Sequence, residues 1–515
     1  MHSNTELNRL DGNNDSSSRS SSNRTSDHMN TITRHHQILS EIESKKFSWS
    51  HIKDLFINSV GFFTNGYQIF IINLIVLMMG CVYYKENTNT VPVYIDTFVK
   101  ASAHIGILIG QLFFGFASDR FGRKRIFGIE LIIMIIGGLG STFSGSTATG
   151  MSVFVQLFLW RFILGFGIGG DYPLSATITS EGAKTKNRGF LLAAIFAIHG
   201  FGVAFAALIS IIVLAAFKNA VYANQNALDY VWRVCLGLGL IPACIGVYFR
   251  LRISETPRYS IEVNHELKNG KKKASFKEFL AHFSKWKYFK ILLATSVTWF
   301  CLDVGFYGVN LNSGLIIESI GFSEDIVKDP WKFLFQNSIG NLIISFLGIL
   351  PGYWSVLAVF LVDRIGRKVI QLTGFGVVGV LFLVLGFGFN AIRSASSVLF
   401  IILFTVTQFF FTFGPNTTTF IIPGEVFPTR YRSTAHGISA AFGKLGAIVS
   451  QIGFFQMRDI GGKNNMIPLI LILFSIFMFI GFIFTFLLPE TKRISLEELS
   501  ESFHSSDQTQ QDTHI

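Results

Sequence analysis

Apolar stretches long enough to cross a lipid bilayer recur along almost the whole chain. A helix rises about 1.5 Å per residue, so roughly 20 apolar residues span a hydrocarbon core. Residues 126–143 (IFGIELIIMIIGGLGSTF) and 466–488 (MIPLILILFSIFMFIGFIFTFLL) meet that requirement. In lipid, every backbone N–H and C=O must find its partner inside the segment, so such stretches must be helices. Only 15% of the 515 residues are charged, against roughly 25% in soluble domains. The heavy use of Phe, 55 residues, suits helix surfaces that face lipid. The apolar pattern predicts helices near 54–80, 99–118, 126–143, 151–178, 189–216, 231–250, 289–311, 335–361, 369–390, 398–424, 434–456 and 466–488.

Charge sets the orientation. The formal net charge of +11 would suggest a nucleic-acid partner in a soluble protein, but in a membrane chain the positive-inside rule accounts for it. Basic loops follow the second helix (119–125, DRFGRKR), the fourth (181–188), the eighth (363–368, DRIGRK) and the tenth (428–433), and the connector at 251–288 contains KNGKKK (268–273). The intervening loops are poorer in Lys and Arg; 144–150 (SGSTATG) has none. Both termini and the basic loops are therefore expected in the cytoplasm. Residues 1–50 are polar and Ser-rich, with no apolar signal region, and read as a disordered tail. The predicted layout is this tail, a six-helix bundle at 51–250, a basic linker at 251–288, a second bundle at 289–490 and a tail at 491–515. The four cysteines show no metal or disulfide spacing and read as small apolar residues. No metal, cofactor or nucleic-acid partner is expected, and without an HExxH, a GxSxG or another nucleophile arrangement neither is an enzyme.

The two bundles repeat each other. Asp119-Arg120-Phe121-Gly122-Arg123-Lys124 and Asp363-Arg364-Ile365-Gly366-Arg367-Lys368 follow the second helix of each half, at a period near 244 residues. Duplicated six-helix halves with a site at the membrane midplane are a common plan for secondary transporters. The first copy reads G-F-A-S-D-R-F-G-R-K from Gly115 and resembles the loop signature of the major facilitator superfamily. In that reading Gly115 permits close helix approach, and Asp119, Arg120 and Arg123, with Asp363, Arg364 and Arg367 in the repeat, form gate latches that bridge the halves.

Charges inside apolar helices are costly and mark function by default. The candidates are Glu130, Arg161, Asp171, Asp303 and Lys444, with the titratable His199. Asp171 lies in GFGIGGDYPLSATITSE (165–181), where the glycines allow tight packing and Pro173 loosens the helix just beyond Tyr172. Trp299, Asp303 and Tyr307 stand at i, i+4 and i+8 and share one helix face; such a stripe belongs against a polar cavity. Asn416 follows a helix-breaking Pro415, and Lys444 sits in AAFGKLGAI.

These stretches, with WRVCLGLGLIP (232–242), ISETPRY (253–259) and PETKRISLEEL (489–499), resemble the phosphate:proton symporter family over about residues 55–500. The resemblance implies that Tyr172, Trp299, Asp303, Tyr307 and Asn416 line a phosphate site, with Lys444 supplying positive charge. It also implies that Glu130 and Arg161 make polar contacts in the N-terminal half, where they read as a structural pair. Hydroxyls, an indole and an amide can donate to phosphate oxygens, and a lysine adds charge attraction. Asp303 suits an anion site if it is protonated when phosphate binds, which would couple the two; Asp171 is the second candidate proton carrier. The chain departs from the family at Asn65 and Gln68, neutral amides where relatives carry acids, and at His199, where relatives usually carry Gln; His199 could donate to substrate or carry a proton. The expected activity is proton-coupled phosphate uptake at the plasma membrane, with a glycerophosphodiester carrier, another small-anion carrier or a phosphate sensor as alternatives.

Overall fold

A computed structural model describes residues 49–145, 151–252, 274–355 and 362–499, together with Ser40, Ser44 and residues 255, 256 and 258–260. Most of the N-terminal tail, most of the 144–150 loop, the basic run at 268–273 and the tail beyond residue 499 lie outside the described residues.

Twelve helices are long and apolar enough to span a membrane: α1 Leu55–Tyr83, α2 Val93–Phe121, α3 Arg123–Thr142, α4 Val153–Gly182, α5 Thr185–Ala216, α6 Gln225–Arg250, α7 Trp286–Asn310, α8 Pro330–Trp354, α9 Arg367–Phe387, α10 Ser397–Val426, α11 Arg432–Met457 and α12 Ile467–Thr485. The described residues contain no strand. All twelve expected spans are present. The eighth runs from Pro330 to Trp354 rather than 335–361, because the backbone turns extended at Ser355; residues 356–361 lie outside the described set. The connector also holds a short helix, Phe276–Phe283, capped by the Ser275 hydroxyl.

Helices α1–α6 and α7–α12 form two bundles. In the first, α4 packs on α2 and α3, and α1 packs on α5; in the second, α7 packs on α11 and α12, and α9 on α12. The bundles meet along α2 with α11 and along α5 with α8. These two seams are equivalent under the sequence repeat, which relates α2 to α8 and α5 to α11.

Close approach is built by small residues. A Cβ at Gly165 would collide with the Ala103 carbonyl, and one at Gly106 with the Phe162 carbonyl, so α2 and α4 touch backbone to backbone. Several helices are interrupted where they line the interface. Pro173 sits inside α4, α10 breaks at Gly414 (φ −95°, ψ −110°) before Pro415, and α8 and α11 carry π-helical turns at Ser345–Ile349 and Val449–Phe454. Large apolar side chains such as Phe143, Ile245, Phe387 and Ile483 stand exposed on the outer helix surfaces. That is the pattern expected where the surrounding medium is lipid.

Candidate transport site and its gates

The α7 stripe meets α11 at the centre of the molecule. Gly443 lies against the Trp299 ring and Gly446 against the Phe300 carbonyl, and this contact brings Lys444 onto the face that carries Asp303 and Tyr307. The Lys444 ammonium sits 2.8 Å from Asp303 Oδ2 and donates to the Tyr307 hydroxyl at 2.9 Å. It also stands 4.1 Å from the centre of the Tyr307 ring and 5.3 Å from that of Tyr172, within cation–π range. Both charged side chains are about 1% exposed. Tyr172 reaches the cluster from α4 in the opposite half. Its hydroxyl lies beside Tyr307 without closing a hydrogen bond of good geometry.

Around this core stands an aromatic shell that the sequence did not single out. Phe70 stacks on Tyr307 at 5.8 Å, and Phe62 meets Tyr172, Phe196 and Phe420 edge to face. Asn416, placed by the α10 break, donates to the Tyr353 hydroxyl at 2.8 Å. His199 stacks on Phe196 and faces Tyr353 and Phe70, and neither ring nitrogen has a hydrogen-bond partner. Thus Tyr172, Trp299, Asp303, Tyr307 and Lys444 come together, with Asn416 and His199 on one flank. Tyr353, Phe70 and His104, whose ring lies 4.6 Å from Tyr307, complete the neighbourhood.

Asp171 is engaged elsewhere. Its carboxylate pairs with Arg250 at 2.7 Å and accepts from Asn65 Nδ2 at 2.9 Å and Ser175 Oγ at 3.1 Å. Arg250 also binds Glu130 at 3.0 Å, and all three charged side chains are fully buried. The expected Glu130–Arg161 pair therefore does not form, because Arg250 at the end of α6 takes Glu130. Arg161 instead donates to the Gln68 main-chain carbonyl at 2.9 Å.

The two D-R-x-G-R-K loops build matched latches. Arg123 pairs with Asp119 at 3.1 Å and Glu181 at 3.0 Å and donates to the Thr429 carbonyl at 2.9 Å across the bundle interface. Arg367 pairs with Asp363 and Glu425, each at 2.8 Å. Asp119 accepts from the Ser433 and Thr434 amides at the start of α11, and Asp363 from the Phe190 amide near the start of α5. Arg188 crosses the interface to Glu425 at 2.9 Å, and Arg432 crosses to Glu181 at 3.5 Å. Burial pushes the Asp363 carboxyl above the ordinary aspartate range, against the pull of Arg367.

Gly122 and Gly366 adopt the same unusual conformation (φ 98° and 109°, ψ 151° and 155°). A side chain there would run into Glu255 and Glu490 respectively, the carboxylates that accept from the next two amides of each loop. Arg120 and Arg364 are not part of the latches. Arg120 is exposed and donates to the Ala274 carbonyl in the connector at 3.4 Å. Arg364 is exposed, with no ion pair among the described residues. The inner arginine of each motif is buried and the outer one exposed. Arg123 reaches across the interface to Thr429, whereas Arg367 bonds Val362, Asp363 and Glu425 within its own half and only packs against Gly189 of the other, so the expected bridge by Arg367 is not made.

The opposite end is also closed across the halves. Asp96 on α2 binds Arg458 at 2.9 Å and Lys100 at 2.8 Å. Lys100 reaches Asn312 at 3.0 Å, Asn73 donates to Ser313 at 2.6 Å, and Trp331 donates to the Leu214 carbonyl at 2.9 Å. A cavity of about 250 Å³ opens above this seal, lined by Asp96, Lys100 and Arg458 among others. The central cluster is thus occluded, with a closed seam on either side.

Residues 55–503 match the family model described as "Sugar (and other) transporter". The chain is 42% identical to the inorganic phosphate transporter PHO84 of Saccharomyces cerevisiae, covering 92% of this chain and 88% of the relative. It is 39% identical to the repressible high-affinity phosphate permease of Neurospora crassa, covering 93% and 91%. Among solved structures, the proton:xylose symporter XylE bound to 6-bromo-6-deoxy-D-glucose matches with a TM-score of 0.71 at 20% identity, covering 89% of this chain and all of the other. A partially occluded inward-open form of the E. coli xylose transporter XylE matches with a TM-score of 0.65 at 19% identity, covering 86% of this chain and 99% of that one. With two six-helix bundles, an occluded site between them and these relatives, the chain belongs to the sugar (and other) transporter family of the major facilitator superfamily and is a multi-pass membrane transporter.

Proposed function

We propose that this protein takes up inorganic phosphate together with protons across the plasma membrane, by alternating access between the bundles at 51–250 and 289–490. The observation that carries the reading is the Lys444–Asp303–Tyr307 cluster, sealed from both sides and facing Tyr172. A phosphate anion entering the cluster competes with Asp303 for the Lys444 ammonium. The Tyr172 and Tyr307 hydroxyls, the Trp299 indole, His199 and Asn416 are donors of the kind that hold an oxyanion. Once Lys444 turns to phosphate, Asp303 is a buried carboxylate without a cation, a state of several kcal/mol cost. Taking a proton from the outside relieves it, so anion and proton bind together. Release on the other side reverses both steps and returns Lys444 to Asp303. Asp171 is held by Arg250 through the same steps and acts as a charge balance rather than as the proton carrier.

The relatives named as phosphate transporters support the substrate, and the basic latch loops support cytoplasmic termini. The test is uptake of labelled phosphate into proteoliposomes, with and without an imposed inward proton gradient. Gradient-driven accumulation that Asp303→Asn abolishes is the expected result. Binding without accumulation would mark a sensor, and accumulation blocked by a glycerophosphodiester at lower concentration than by phosphate would reassign the substrate.

A further inference from the structure

Arg123, Arg161, Arg188, Arg250, Arg258, Arg367 and Arg432 are all buried in the protein interior. Six of them sit on carboxylates: Arg123 on Asp119 and Glu181, Arg188 on Glu425, Arg250 on Glu130 and Asp171, Arg258 on Glu497, Arg367 on Asp363 and Glu425, and Arg432 on Glu181. Arg161 has none among the described residues. It makes a hydrogen bond to the Gln68 main-chain carbonyl, while its Nε and Nη1 have no partner. A guanidinium stays protonated under all physiological conditions, so this charge cannot be removed by losing a proton. Left uncompensated in a buried site, it carries a desolvation penalty that a nearby negative charge must offset.

A second group with an unpartnered nitrogen lies on the neighbouring helix. Backbone contacts at Gly165 on Ala103 and Gly106 on Phe162 press α2 and α4 together, one residue from His104 on α2 and one from Arg161 on α4. His104 is 1% exposed, its Nδ1 engages the Lys100 carbonyl, and its Nε2 has no partner. His104 lies within electrostatic reach of both Arg161 and Lys444. Gln68, whose main-chain carbonyl Arg161 uses, carries a neutral amide that donates to the Leu236 carbonyl at 3.0 Å and supplies no carboxylate.

We infer that Arg161 and His104 form a second buried anion site in the N-terminal bundle, filled by a small inorganic anion of the halide or phosphate class that serves as the counter-ion Gln68 does not supply. This site adjoins the Lys444 cluster through His104, whose ring lies 4.6 Å from Tyr307, and it does not depend on phosphate being the transported solute. Its occupant neutralises the guanidinium and links, through His104, to the charge on Lys444.

The test is the unfolding temperature of the purified full-length protein in detergent, measured in sodium gluconate, with chloride or phosphate replacing gluconate at constant ionic strength. A ligand at ~100-fold its dissociation constant should raise the unfolding temperature of a chain this size by about 3 °C. Gln68→Glu supplies a tethered carboxylate and Arg161→Met removes the cation. Both variants are expected to lose the chloride response, and Gln68→Glu to gain in gluconate the stability that chloride gives the unaltered protein. A response to chloride identifies a resident halide. Without a chloride response, a phosphate response that both variants diminish identifies phosphate itself as the counter-ion, and the part that both variants keep belongs to the Lys444 cluster. No chloride response and no variant-sensitive phosphate response, or a chloride response that persists in both variants, overturns the proposal. If Arg161→Met does not fold, Gln68→Glu decides the question alone.

Discussion

Asp303 and Asp171 are both buried aspartates on interior helices, both engaged by a cation at 2.7–2.8 Å, yet they are built for different work. Asp171 is one corner of a network in which Arg250 holds two carboxylates, Asn65 and Ser175 add hydrogen bonds, and Gly61 makes the room a side chain would take from the pair. Asp303 has one cation, and that cation is shared with a phenol and two aromatic faces. A carboxylate held from several sides is a fixture. A carboxylate held by one mobile lysine can lose its partner to a competing anion and must then find a proton. Under the proposed mechanism, the difference in second partners, rather than in burial, separates a structural charge from a coupling charge.

Substitutions can break this comparison. The largest expected effect is Lys444→Met, which removes the cation and leaves Asp303 uncompensated; breaking such a buried pair costs about 3–5 kcal/mol. Uptake should fall to background and thermal stability should drop, and adding Asp303→Asn should restore the stability without the uptake. Arg250→Met strands two carboxylates and should lower the unfolding temperature by a comparable amount, with uptake reduced in step with the folded fraction. Asp171→Asn should be milder in stability because Glu130 still holds Arg250, and it should leave the gradient dependence of uptake intact. Uptake through Asp171→Asn that no longer responded to the proton gradient would collapse the distinction between the two residues.

Smaller effects sharpen the picture at the latches. Gly122→Ala and Gly366→Ala place a side chain in a backbone region tolerated almost only by glycine, at about 1–3 kcal/mol each. The matched geometry of the two loops predicts matched losses, measured as unfolding temperatures. Asn416→Ala removes a hydrogen bond worth about 1 kcal/mol and should raise the KM for phosphate about fivefold, with little change in maximal rate.

Much of this was legible in the chain. Spans, halves and the loop repeat follow from apolar length and from residues 244 apart, and that spacing holds for Asp119 with Asp363, Glu181 with Glu425 and Arg188 with Arg432. The stripe of Trp299, Asp303 and Tyr307 was readable from helical spacing, and Lys444 from its isolation in an apolar run. Arg250 was not, because it ends a span beside Arg252 and looks like part of a basic loop; only packing brings it to Glu130 and Asp171. The pairing of Glu130 with Arg161 failed for the same reason, since both charges are visible but their distance is not. Arg120 and Arg364 share the motif with their inner neighbours, and only the turn of the helix decides which arginine is buried.

The π turns are unevenly divided among the described residues. The π turns at Ser345–Ile349 and Val449–Phe454 and the break at Gly414 all fall in the second bundle, on helices facing the seam. A π turn that relaxes to an α turn advances the helix beyond it by one residue, about 1.5 Å along its axis. The π turns of the second bundle lie in the helices that carry Lys444 and Tyr353, and the Gly414 break lies two residues before Asn416, so a change of turn there moves side chains of the central cluster themselves.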